Sequence, residues 1–324
     1  MPIFNIKTSF EQGNTQTLKI MKQIDEMFSS EIQDDKYVFS IEDFNENTPF
    51  SVLTIASSLK SYRERYPEYK MSLIPRENGD YLSHLGFYDM VGIQYGEKIG
   101  EAKPSENYVP IRSIKLDASF YDTIDENAGC LARLLHFDAD LEAFLRYAFI
   151  EIIRNVYEHA ETETAYVCAQ KWPSKNLVEI AIVDNGCGVA KAMSKRYPNK
   201  KEEELMYLST MPGVSALSNL KYLDKESTWA NTGYGLYALK RLSTLYEGSF
   251  ILCSGNIALW QKANKMEPCE TFFQGTAVAI RIKTNTNNNF QEVRSRVIAE
   301  GEKEAKKYGA ITRASKSSGG EYRE

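Results

Sequence analysis

The chain has 324 residues, 43% of them hydrophobic, with 39 Lys and Arg against 44 Asp and Glu and a formal net charge of −5. That length suits two domains with real cores, and the mild negative charge excludes bulk attraction to nucleic acid or anionic membrane. Five cysteines without a Cys-x-x-Cys pair and only three histidines argue against a disulfide framework, a structural zinc or a histidine-rich metal site, and fit a reducing cytoplasm.

In chain order, Met1 to Lys7 lacks the basic-then-apolar order of a secretory signal. No later run approaches the roughly 18 apolar residues of a membrane span. Residues 1–34 hold a helical segment, with Leu18, Met21, Ile24, Met27 and Phe28 at helical spacing. Residues 35–95 alternate strand and helix: a strand at Tyr37–Ile41, a helix opened by Pro49 and running to about Arg65, a strand at Lys70–Ile74, and a helix over Asp80–Met90. This predicts a small α/β regulatory domain. Residues 96–107, rich in Gly, Glu, Lys and Pro, read as a linker, and a larger domain spans 108–284.

The larger domain begins with two helices, at 119–134 and 139–160. Strands follow at Thr164–Lys171 and Leu177–Val183, then a polar stretch over 189–230. A helix at Gly235–Leu245 precedes strands at Ser249–Ser254, Ile257–Gln261 and Gly275–Ile282. Segregated helices and strands predict an α+β sandwich, one mixed sheet covered by helices. Residues 285–324 read as a charged helix (Phe290 to Lys307) and a flexible tail.

Within this domain the helix around Phe149–Ala160 carries a packing anomaly. Leu141, Phe144, Leu145, Ala148, Ile152 and Val156 form one apolar stripe, yet Asn155 and His159 project into it and Glu151 sits at its edge. Buried polar groups need partners. Glu151 and Asn155, one turn apart, suit a general base and a neutral oxygen ligand for magnesium. A solvated Glu with a loop-bonded Asn suits them equally. His159 is either a phosphate contact or a satisfied core histidine.

Asp184 ends a strand and enters Gly186 and Gly188, where a half-buried carboxylate can accept a hydrogen bond from an exocyclic amine. Asp-Asn-Gly is also an ordinary hairpin turn. Cys187, between the two glycines, reads as a thiol beside the same pocket or as a simply buried one. Asn231-Thr232-Gly233-Tyr234-Gly235-Leu236 opens a helix whose free amides make an anion site, with Thr232 as cap or phosphate contact. It is neither a Walker loop nor a dinucleotide fingerprint. In Gln274-Gly275-Thr276, the Thr276 hydroxyl suits water-mediated recognition of a base.

Taken in order, these segments resemble the GHKL ATPase superfamily of gyrase, heat-shock chaperone, histidine kinase and mismatch-repair ATPases. The resemblance covers about residues 139–283 and implies a Bergerat-type α/β sandwich binding ATP with Mg2+. By that resemblance Glu151 matches the catalytic carboxylate, Asn155 the magnesium ligand and Asp184 the adenine-binding aspartate. Gly186 and Gly188 shape the pocket, Gly233 to Leu236 form the phosphate loop, Gly275-Thr276 is the last box, and residues 189–231 form a lid. The Glu-x-x-x-Asn-x-x-x-His-Ala order looks most like anti-sigma-factor serine kinases and histidine kinase catalytic domains. His136 lies upstream as a candidate phosphoacceptor, but no second hairpin arm surrounds it. The clamp-type branches need a further α/β domain beyond Lys283.

The N-terminal unit resembles STAS-like domains around Tyr81-Leu-Ser-His-Leu-Gly-Phe but lacks their Asp-Ser-Ser/Thr-Gly stretch. A dimerisation or docking domain, giving a homodimer, stands beside that reading. Two functions follow: phosphoryl transfer to a protein hydroxyl or to water, or an ATP-gated interaction module for a regulatory protein partner. Neither involves nucleic acid or a membrane.

Overall fold

The computed structural model describes residues 3–7, 13–29, 36–42, 44, 48–75, 81–95, 107–133, 135, 137–216, 232–262, 265–307 and 313–314. His136, Asn231 and positions 217–230 of the expected lid lie outside these residues.

The N-terminal part alternates strands with crossover helices: β1 (Ile3–Asn5), α1 (Gly13–Ser29), β2 (Lys36–Ser40), α2 (Pro49–Arg65) and β3 (Lys70–Ile74). The three strands pair in parallel, in the order β1-β2-β3. Pro49 occupies the first turn of α2, and Thr48 and Ser51 exchange side-chain and backbone hydrogen bonds in a capping box. The expected helix over Asp80–Met90 is instead two short ones, α3 (Tyr81–His84) and α4 (Phe87–Val91). They are divided at Gly86, whose φ of 80° interrupts the helical path.

The second part comprises β4 (Tyr108–Lys115), α5 (Phe120–Arg133), α6 (Ala139–His159), β5 (Thr164–Trp172), β6 (Leu177–Asp184), α7 (Val189–Ser194) and α8 (Glu202–Ser209). It continues with α9 (Gly235–Leu245), β7 (Ser249–Lys262), β8 (Lys265–Lys283) and α10 (Phe290–Lys307). The sheet order is β4-β5-β6-β8-β7. The α+β sandwich is therefore present, but its sheet is antiparallel at every pairing rather than mixed. Short hairpins join β5 to β6 and β7 to β8, which forces antiparallel pairing; parallel pairing needs crossovers, and those occur in the N-terminal sheet. The strands expected at 249–254 and 257–261 are one strand, with its register shifted around Gly255.

The molecule stacks in four layers. Outermost is the small parallel sheet, then α1 and α2, then the antiparallel sheet, then α6 and α9 backed by α5 and α10. The face of the sheet toward α1 and α2 carries the small residues Cys168, Ala181, Cys253, Ala277 and Ala279 alongside larger ones such as Val183 and Ile251. Removing side-chain bulk there lets the helices approach closely. Residues 35–95 and the larger sheet thus share one hydrophobic cluster. Among the described residues, no helix is long and apolar enough to cross a membrane.

Candidate functional site

Strand register gathers the site at one end of the sheet. Ser254, Thr276, Asp184 and Ala165 stand in one row across β7, β8, β6 and β5. Two residues inward, and so on the same face, Leu252, Val278 and Ile182 form the next row. Above these rows α6 and α9 leave an open, mostly apolar cavity. The inner row makes an apolar floor, Asp184 and Thr276 stand at one end, and Gly233, Gly235 and Leu236 line the wall formed by α9.

Asp184 is buried, and burial pushes its carboxyl up to about 7, countered in part by hydrogen bonding from Gly186 and Thr276. Its Oδ1 accepts from the Gly186 amide at 2.8 Å, while Oδ2 makes no hydrogen bond of ordinary geometry within the chain. Such an oxygen is costly to bury unless a ligand donor meets it. The turn below is fixed from several sides. The Cys187 amide donates to the Ala160 carbonyl at 2.7 Å, and the Cys187 thiol donates to the His159 carbonyl at 3.1 Å. The thiol therefore faces α6, Cys187 is not part of the cavity wall, and burial raises its pKa. Ser254 bridges the same end, donating to the Gly275 carbonyl and accepting from the Val189 amide.

Asn155 lines the cavity from α6, and its Nδ2 donates to the Glu151 carbonyl at 2.8 Å. With Nδ2 committed, Oδ1 remains as a neutral acceptor of the kind hard cations take. His159 lines the same wall, and burial lowers its pKa despite the opposing charge of Glu158.

Glu151 departs from its expected place at the stripe's edge: it is 0% exposed and does not line the cavity. Its Oε2 lies 3.1 Å from Nη2 of Arg154, itself only 1% exposed. The guanidinium also faces Glu158 at 3.5 Å, and Glu158 accepts from Tyr121 at 2.9 Å. Two carboxylates flanking one guanidinium keep Arg154 charged against strong desolvation. Sequence reading passed over Arg154, although an arginine inside an apolar helix pattern was the available signal.

The Gly233–Leu236 loop rests on this buried group. A Cβ on Gly235 would collide with Glu151 Oε2, so the start of α9 sits close against that buried carboxylate. Gly233 has φ of 74° and is backed by the Val214 carbonyl, which its neighbours in the loop 210–216 hold in place. The Gly213 amide donates to the Gly233 carbonyl at 3.1 Å. Lys240 on α9 anchors the end of α8 through the Thr210 carbonyl at 2.9 Å, and burial brings its pKa down to about 8.

The described part of the expected lid, 189–216, is thus α7, α8 and a loop, and it supplies Val189, Met193, Ser209, Val214 and Ser215 to the cavity wall.

The chain matches no protein-family model and no curated protein sequence. The function must be read from the site itself.

Of the residues singled out in the sequence, Asn155, His159, Asp184, Gly188, Gly233, Gly235, Leu236 and Thr276 share this cavity. Glu151, Gly186, Thr232 and Tyr234 do not line it; Tyr234 turns its ring into the core near α10. The apolar floor was missed because its residues read only as strand core. Among the described residues no cluster of three or more His, Cys, Asp or Glu could hold a metal, so a cation here needs ligand oxygens as well as Asn155.

Proposed function

We propose that this chain is an ATP-binding regulatory protein of the GHKL type it resembles, taking Mg2+ together with the nucleotide. One observation carries the reading. A buried carboxylate with an unmet oxygen, Asp184, and a glycine-opened helix start, Gly233–Leu236, face one open, mostly apolar cavity. Asp184 accepts the exocyclic amine of adenine, with Thr276 beside it. The base lies over Leu252, Val278 and Ile182. Asn155 Oδ1 holds the cation among phosphate oxygens, and the amides at the start of α9 meet the phosphates. Magnesium, when bound, offsets charge on the phosphates.

As a general base Glu151 would take a proton from a protein hydroxyl or from water, which requires it within about 2.6–3.2 Å of that group. Its burial beneath Gly235 and its pairing with Arg154 favour a second reading. In that reading nucleotide binding orders the lid and a partner surface, and turnover awaits a rearrangement that frees Glu151.

Titration calorimetry with Mg-ATP tests the site, and single-turnover assays with labelled ATP on wild type and Glu151→Ala separate the readings. An enzyme gives phosphoryl transfer or hydrolysis that falls at least about a hundredfold in the variant, within the range a lost general base accounts for. Binding without turnover in either protein leaves the gated module. Absence of binding refutes both.

A further inference from the structure

Helix α2 belongs to the N-terminal unit, yet it is tied along its length to the two strands that carry Asp184 and Thr276. At its start the Phe50 amide donates to Glu179 Oε1 on β6 at 2.9 Å, and Glu179 Oε2 accepts from Arg281 Nε on β8 at 2.6 Å. Midway, Ser57 Oγ donates to Asn185 Oδ1 at 2.8 Å, and Asn185 is the residue between Asp184 and Gly186. At its end Arg65 hydrogen-bonds Gln274, next to Gly275. Gly275 in turn lies against the Asp184 carbonyl and Asn185, where a Cβ would have no room.

Ser57 is fully buried, so its hydroxyl has few alternatives to Asn185. A narrow crevice lined by Ser58, Ser61, Tyr62, Asn185, Phe273 and Gln274, with room for about one water molecule, lies behind the turn. The back of the turn is therefore held directly by α2.

We infer that the N-terminal unit regulates the base end of the nucleotide site, with Ser57 and Asn185 as the positioning pair that transmits a shift of α2 to the Asp184 turn. The inference rests on the nucleotide reading of the cavity. Whatever engages the small parallel sheet acts, through α2, on how Asp184 presents its carboxylate. The phosphate end, built on α6 and α9 across the sheet, is left out of this linkage. By reciprocity, a nucleotide that holds the turn also holds α2.

The full chain carrying Ser57→Ala is titrated with Mg-ATP and, separately, with inorganic tripolyphosphate. Amide exchange across residues 50–65 is followed with and without ATP. Loss of one neutral hydrogen bond predicts a Kd for Mg-ATP raised about three- to tenfold and a tripolyphosphate Kd unchanged. ATP slows exchange across α2 in wild type and does so less in the variant. Arg65→Ala, at the exposed end of the same helix, gives a smaller shift in the same direction and guards against misfolding at Ser57. A Mg-ATP Kd indifferent to both substitutions, or α2 exchange in wild type indifferent to ATP, overturns the coupling alone. A wild-type chain that does not bind ATP overturns the nucleotide reading and this inference with it.

Discussion

Helices α2 and α6 lie on opposite faces of the same sheet, and both are buried along most of their length, but they bury polar groups in different ways. In α2 the buried polar residues are small hydroxyls, and apart from Ser57, which reaches Asn185, those that bond do so within the helix and its cap. Thr54 bonds back to the Phe50 carbonyl at 2.6 Å, and Thr48 and Ser51 cap the helix. In α6 the polar residues are charged or amide-bearing. They form a chain from Glu151 through Arg154 to Glu158, with Asn155 and His159 turned to a cavity. A hydroxyl that bonds one turn back costs a helix little. A buried guanidinium between two carboxylates brings a desolvation penalty that packing alone would avoid. The contrast separates polar residues that the helix accommodates cheaply from those whose burial carries a real cost.

Three substitutions break or sharpen this contrast. The largest effect is expected at Arg154→Met, which leaves Glu151 and Glu158 buried without their shared cation and destabilises the fold by about 3–5 kcal/mol in urea unfolding. A loss below about 1 kcal/mol would show that the pair is not part of the folded core.

Asp184→Asn comes next. At pH 8, where the carboxyl is ionised, replacing this charged acceptor with a neutral one weakens Mg-ATP binding about ten- to a hundredfold by calorimetry. The same variant has a pH signature. Folded Asp184 keeps its proton up to about 7, against 3.8 ordinarily, so between these values the folded chain binds more protons than the unfolded one. Wild-type stability attributable to this group therefore falls as pH rises from about 4 to about 7, and that slope is absent in the variant. Parallel stability curves for the two proteins would place Asp184 in water rather than under the cavity.

The smallest effect belongs to α2. Thr48→Ala removes one half of the capping box and costs about 1 kcal/mol. Its Mg-ATP affinity stays at the wild-type value, since the cap lies far along α2 from Ser57 and Asn185. A change in affinity would mean that the start of α2 is coupled to the site as well as Ser57 and Arg65.

Local signals carried much of the reading. Pro49 at the first turn of α2, the apolar period of α6 and the alternating strand ending at Asp184 are written in neighbouring residues, and each element formed where these signals stood. The segments that meet at the cavity were also identifiable, because glycines and polar residues inside apolar patterns stand out. Other features depend on residues far apart in the chain. Sheet direction follows from which strands become hairpin partners, a property of the whole fold. The ion pair of Arg154 depends on how deeply α6 is covered by α5 and α9. The contact between Ser57 and Asn185 joins residues 128 positions apart. Spacing along a helix or strand fixes only what lies within a turn or a pleat, and so the sequence alone determined the elements and the chemical character of the candidate site. Tertiary packing decided that Asp184 is buried, that Glu151 is closed under Gly235, and that the N-terminal unit reaches the back of the Asp184 turn. Burial and long-range contact arise only when distant segments meet.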